Sequence, residues 1–199
     1  MASVHVDPGK VHEFKDAQRF YKWLGKHHGT ETEAWIKIHK VDSGLQSITP
    51  KEAIDVALCW GWIDAIRKAY DDKSYLQRYT PRGRKSTWSQ INVANVERLI
   101  EEGRMTDQGL KQVELAQADG GWARAYGSGK SMPVPDDLLT ALKAEPEAMK
   151  MLSRLNAQNR FALAFRLHYM KTEAGRKKKV AAFVQMLKKG ETPHPQTLK

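Results

Sequence analysis

Cysteine is almost absent: Cys59 is the single one in 199 residues. An intrachain disulfide and a cysteine-based zinc site are therefore excluded, and stability does not call for an oxidising compartment. Cys59 falls in the apolar string Val56-Ala57-Leu58-Cys59-Trp60, which predicts a buried small hydrophobe in preference to a reactive thiol. Long hydrophobic runs are missing as well. No stretch approaches the roughly 18 apolar residues of a transmembrane helix. The opening residues, MASVHVDPGK, hold no apolar run after a charged start, so no secretory signal is expected and a cytoplasmic location is. Also missing are a P-loop, a GxGxxG after a strand, an HExxH and a GxSxG. Their absence argues against the common nucleotide-driven and metal-driven enzymes, and neither a cofactor nor a metal is expected.

What is present is an apolar fraction of 41%, high enough for a packed core, and a formal net charge of +10. That surplus favours anionic partners: nucleic acid, acidic lipid, or phosphorylated or carboxylated small molecules.

The periodicities predict an α+β fold: a small antiparallel sheet of about three strands, wrapped by helices. Asp16 caps a first helix that carries Phe20, Trp23 and Leu24 on one face and stops at Gly29. His27 and His28 fall in its last turn, where they suit the helix dipole better than a shared metal. Alternation marks a strand over 33–40. Thr49-Pro50-Lys51-Glu52 is a capping box with proline at the first helical position, opening a short apolar helix. Residues 62–69 and 74–80 read as a hairpin around Tyr70-Asp71-Asp72-Lys73. Two helices follow, one capped by Ser86 or Ser89 and one by Thr106, joined closely enough to suggest an antiparallel pair. Residues 1–120 are thus expected to form the α+β domain, 121–135 a Gly/Ser/Pro-rich linker, and 136–199 a helical segment packed on it. In that segment Asn156 caps a helix bearing Phe161, Ala164, Phe165 and a core His168. The last helix turns Val180, Phe183, Val184 and Leu187 inward, and a frayed tail begins at Thr192.

The chemistry is concentrated in residues 60–92. Trp62 and Trp88 offer flat apolar walls, and Tyr75 adds a hydroxyl. Arg67, Arg78 and Arg82 present planar donor forks suited to carboxylate or phosphate. Asp64 is the one carboxylate on the first strand of the hairpin. Ser89 and Asn92 fall in the first turns of a helix, where free N–H groups attract anions. Strict alternation puts Asp64, Ile66 and Lys68 on one face of their strand and Ile63, Ala65 and Arg67 on the other. Each of these residues has a plainer reading. Tryptophans in a small α+β domain belong mostly to the core, and an Asp–Arg pair across a hairpin is mostly structural. The basic block Arg176-Lys177-Lys178-Lys179 reads first as a solvated helix face.

The same residues carry a resemblance. Gly61-Trp62-Ile63-Asp64, then Tyr75, Arg78 and Thr80-Pro81-Arg82, then Ser86-Thr87-Trp88-Ser89-Gln90-Ile91-Asn92, resemble the YdeI/OmpD-associated family, also called bacteriocin-protection proteins. Gly103-Arg104-Met105, Gly109 and Trp122 match as well. Lys171-Thr172-Glu173 with Arg176-Lys177-Lys178 is similar to that family's last helical segment, in an altered order. The resemblance implies a bacterial stress or antimicrobial-peptide tolerance protein with no established reaction. Three functions follow as expectations. The first is a non-enzymatic protein whose aromatic and arginine-lined pocket binds a small anionic ligand or a peptide, with an envelope protein as a further partner. The second is a small enzyme with Asp64 as general acid or base, which requires a half-buried Asp64 with a shifted pKa. The third is nucleic-acid binding through the basic last helix. Under the first, Arg82→Ala is expected to weaken binding without unfolding the chain.

Overall fold

A computed structural model describes residues 5–128 and 132–197. The fold is α+β, with eight α-helices and one four-stranded sheet among the described residues. The strands are β1 (Val11–His12), β2 (Ala34–His39), β3 (Trp62–Ala69) and β4 (Ser74–Pro81). Their order is β1-β2-β4-β3. β1 runs parallel to β2, and the other pairs are antiparallel. The sheet thus has one strand more than the sequence suggests, and it is mixed. A two-residue strand is too short to show any alternation, which accounts for the difference.

The chain divides into two compact units. Residues 1–88 and 92–125 form the first, and residues 89–91 and 126–199 the second. In the first unit one sheet face carries Ala34, Ile36 and Ile38 of β2, Trp62 of β3 and Tyr79 of β4. These join Phe20 and Leu24 of α1 (Ala17–His27) and Ala53, Val56 and Ala57 of α2 (Pro50–Cys59) in one core cluster. Both helices start where their side chains dictate. Asp16 accepts from the Arg19 N–H at 2.9 Å. Thr49 and Glu52 exchange backbone and side-chain bonds at 2.9 and 3.3 Å, closing the capping box.

The helices α3 (Gln90–Glu101) and α4 (Asp107–Ala118) share a core cluster through Val96, Leu99, Val113 and Ala116. α4 also packs against the end of α2. Gly109 is the reason: a Cβ there would lie 2.3 Å from the Cys59 carbonyl oxygen, so only glycine permits the approach. The Thr106 hydroxyl donates to that same carbonyl at 2.6 Å. Gly61, at φ +71°, turns the chain from α2 into β3 beside Gln108. Leu58, Cys59, Trp88, Val96, Leu99, Val113 and Ala116 fill the second cluster of this unit. Cys59 is buried, and burial pushes its thiol up to about 11. Buried Asp55 accepts two bonds from Arg98 Nη2, both at 2.7 Å, tying α2 to α3.

Within 121–135, expected as a linker, Trp122 packs on Trp88 with ring centroids 4.9 Å apart. Residues 129–131 of that stretch lie outside the described residues.

The second unit holds α5 (Asp136–Lys143), α6 (Pro146–Arg154), α7 (Ala157–His168) and α8 (Glu173–Lys188). Leu138, Leu142, Met151, Leu163, Leu167, Phe183 and Leu187 form its core. Two expectations are corrected here. The buried stripe of α7 is Ala162, Leu163, Ala164 and Leu167, and His168 is exposed, because the helix turns its leucines inward and leaves its aromatics half-buried. Phe161, Phe165 and Tyr169 instead form a ring cluster with Tyr126. The tail is not frayed over 192–197. Fully buried Asn159 donates to the His194 carbonyl and to Gln196 Oε1 at 3.1 and 2.6 Å, and accepts from the His194 N–H at 2.8 Å. A buried amide needs such partners, and a non-helical segment supplies them without any periodic signal in sequence. Residues 198 and 199 lie outside the described residues.

Candidate functional site

The hairpin carries most of the candidate residues, and a β-bulge decides which of them meet. Asp64 pairs with Tyr79 and Arg67 with Gln77, so three residues of β3 span two of β4. The extra residue reverses the alternation. Asp64 and Arg67 therefore share the face of Tyr75, Gln77 and Tyr79, against the expectation that alternation separates them. Arg67 Nε donates to Gln77 Oε1 at 3.2 Å, and its guanidinium lies 4.3 Å from the Tyr75 ring centre. Asp64 is half-buried. Burial pushes its carboxyl above the ordinary carboxylate range, against the pull of its own backbone N–H and of Arg82 and Arg67. Tyr79 is fully buried, and its hydroxyl has no hydrogen-bond partner among the described residues. Burial and the neighbouring Asp64 and Tyr75 push that phenol upward.

Two expected members stand elsewhere. Trp62 is 1% exposed and packs edge-on to Trp23, so it belongs to the core and is no pocket wall. Arg78 pairs across β2 with Trp35, on the opposite sheet face from Asp64. Its Nε donates to Glu33 at 2.6 Å, which makes it a structural ion-pair partner.

Arg82 and Trp88 come together beyond the end of β4. The Arg82 guanidinium lies 3.5 Å from the Trp88 ring centre, and its Nη1 donates to the Thr87 carbonyl at 3.4 Å. Both side chains are buried, at 7% and 4% exposure. A hydrogen-bonded turn connects them: Ser86 N–H donates to the Gly83 carbonyl at 2.9 Å, and Gly83 N–H to Ser86 Oγ at 3.0 Å. This turn and α4 enclose a cleft of about 540 Å³. Arg84, Ser86, Gln112, Leu115 and Asp119 also line it. Its volume lies within the roughly 300–1,000 Å³ usual for small-ligand sites. Arg84 is exposed at the cleft. Asp119 is turned to local structure, its Oδ1 accepting from Gly121 N–H at 2.7 Å. Asp64 is not among the cleft's lining residues, but Arg82, which lines the cleft, also acts on the Asp64 carboxyl.

Ser89 and Asn92 fall in different units. Ser89 pairs with Tyr126 in a short parallel bridge, and the next N–H, of Gln90, donates to the Tyr126 carbonyl at 2.8 Å. Asn92 is half-buried in the first turn of α3. The expected list contains no contribution from α4. Gln112, Leu115 and Asp119 stand 20 to 27 residues beyond Asn92, and only the Gly61 and Gly109 pair hints at the close helix approach that brings them in.

Charge is unevenly shared between the units. Residues 126–199 hold fourteen Lys and Arg against six Asp and Glu, or +8 of the chain's +10. No helix among the described residues is long and apolar enough to cross a membrane.

Residues 12–112 match the family described as a domain of unknown function, DUF8412. Residues 131–190 match the family described as bacteriocin-protection, YdeI or OmpD-associated. The motifs of 61–92 thus lie in the first match, and the altered C-terminal motif lies in the second. No curated protein and no solved structure matches the chain. The first match spans just over half of the residues: the chain belongs to the DUF8412 family and carries a bacteriocin-protection, YdeI or OmpD-associated segment over residues 131–190.

Proposed function

We propose that this is a non-enzymatic binding protein of the tolerance type, acting in the cytoplasm, whose first unit holds the anionic group of a small ligand or peptide in the cleft between the 82–88 turn and α4. One observation carries the reading: a buried arginine, Arg82, is fixed face-on to Trp88 in the wall of a 540 Å³ cleft, with Arg84 exposed beside it. A guanidinium held by stacking and by a carbonyl acceptor is already ordered. Little side-chain entropy is then lost when a ligand arrives. Arg82 supplies the fixed positive field, and Arg84 the fork that reaches the ligand.

A thermal-shift screen tests this. The panel holds nucleotides, sugar phosphates, amino acids, acidic peptides and cationic antimicrobial peptides. A ligand at about a hundred times its Kd adds about 2.7 kcal/mol and raises Tm visibly. The expected result is a rise with an anionic class in the wild type and none in Arg84→Ala, with the unliganded Tm unchanged. Arg82→Ala is no longer the discriminating variant, because its burial on Trp88 predicts a lower Tm whatever it binds. If no anion shifts the wild type, the reading fails.

The concentration of charge supports a second reading, nucleic-acid binding by the second unit. Its affinity for a DNA oligomer would fall steeply between about 50 and 200 mM salt, as released counterions require. An affinity that stays flat over that range removes it.

A further inference from the structure

Resting on the reading of the 82–88 cleft as an anion site, we infer that its ligand is a monoanionic carboxylate carried on an apolar body. The lining charges are Arg82, Arg84 and Asp119, a formal sum of one positive charge. That balance matches a single carboxylate better than a phosphate monoester, which carries nearly two negative charges at neutral pH. Asp119 sits at the cleft through a local bond to Gly121 N–H, so its charge is a fixed part of the lining. A second negative charge on a ligand meets it as repulsion.

The donors available to a ligand are few. The exposed Arg84 guanidinium offers a fork that fits the two oxygens of a carboxylate. The Ser86 hydroxyl accepts from Gly83 N–H and has its own proton to donate. The Gln112 side-chain amide adds N–H donors from α4.

The rest of the lining is apolar. Trp88 forms one wall, and Leu115, Ala116 and Ala118 line the α4 side. Leu115 is 53% exposed, an apolar side chain left open beside a charged turn. Covering it gives a ligand the hydrophobic gain that an inorganic anion has no means to collect. Charged donors at one part and apolar surface at another describe an amphipathic acid. Two sources share that chemistry: the C-terminal residue of a peptide with an apolar side chain, and a free branched-chain organic acid.

Isothermal titration calorimetry on the full chain separates the cases. The probes are N-acetyl-Leu-Leu as the free acid, the same dipeptide as its C-terminal amide, 4-methylpentanoate, and phenyl phosphate. The free acid should bind at least about tenfold more tightly than the amide, since the amide forfeits one charge-assisted pair. Arg84→Ala should erase that difference. Leu115→Ser should weaken the acid several-fold while leaving any binding of phenyl phosphate unchanged. Both substituted side chains are exposed, and unchanged Tm values confirm that the variants are folded. Binding of 4-methylpentanoate as tight as the dipeptide acid supports the inference and assigns the free acid as source. Much weaker binding of it assigns the peptide terminus. Equal affinity for acid and amide overturns the inference. Phenyl phosphate binding more tightly than the dipeptide acid also overturns it, while the anion-site reading survives. If none of the four binds, the inference is overturned, and the wider anion panel decides the anion-site reading.

Discussion

At the scale of single residues, the arginines of this chain are alike in sequence and unlike in place. Arg78 is spent on Glu33, Arg67 on Gln77 and Tyr75, and Arg82 is laid on Trp88. Only Arg84 of the four stands exposed at the cleft without a structural role of this kind. Asp64 is the other residue whose surroundings set its chemistry. Its carboxyl is held above the ordinary range by burial, so the folded state binds its proton more tightly than the unfolded chain does. The group contributes most to stability when protonated. That contribution falls as pH rises from the unperturbed Asp value of about 3.9 through the higher folded value. Urea unfolding of the wild type and Asp64→Asn from pH 4 to 7 should show the wild type losing stability relative to the variant as pH rises. A wild type that gains on the variant over that range contradicts the burial account. The density of recognition residues in 60–92 was legible in sequence, but their faces were not. A single extra residue in β3, unmarked by glycine or proline, brings Asp64 and Arg67 to the same side.

At the scale of elements, helix starts were readable because the capping side chain sits within three residues of the N–H it serves. Asp16, Thr49, Thr106, Asn156 and Thr172 all accept from the backbone as their spacing indicates. What lies between distant segments was not readable. β1 pairs only two residues. The cleft needs α4 to lie against the end of α2, and that approach is written as two glycines among fourteen. Gly109→Ala should test the approach directly. Its methyl group cannot fit 2.3 Å from the Cys59 carbonyl oxygen, so the helices must part at a cost of about 1–3 kcal/mol. The expected result is a Tm several degrees lower together with weaker ligand binding, because α4 carries one wall of the cleft. An unchanged Tm would mean that α4 does not rest on α2.

At the scale of the whole molecule, the two units differ in character. The first holds the sheet, the bulged hairpin and the cleft, and is close to charge-neutral. The second holds α5 to α8 and nearly all of the positive surplus, and its tail is pinned by Asn159. The surplus and its bias toward residues 126–199 can be counted from sequence. The place of the cleft cannot be read there, because it depends on β4 ending at Pro81, where the turn at 82–86 begins. On the reading proposed above, the cleft beside Arg82 and Trp88 receives an anionic ligand through Arg84. The thermal-shift comparison of wild type and Arg84→Ala across an anion panel tests it most directly. A Tm rise is expected in the wild type with one anionic class and none in the variant, at equal unliganded Tm. An equal rise in both proteins, or no rise with any anion, would contradict it.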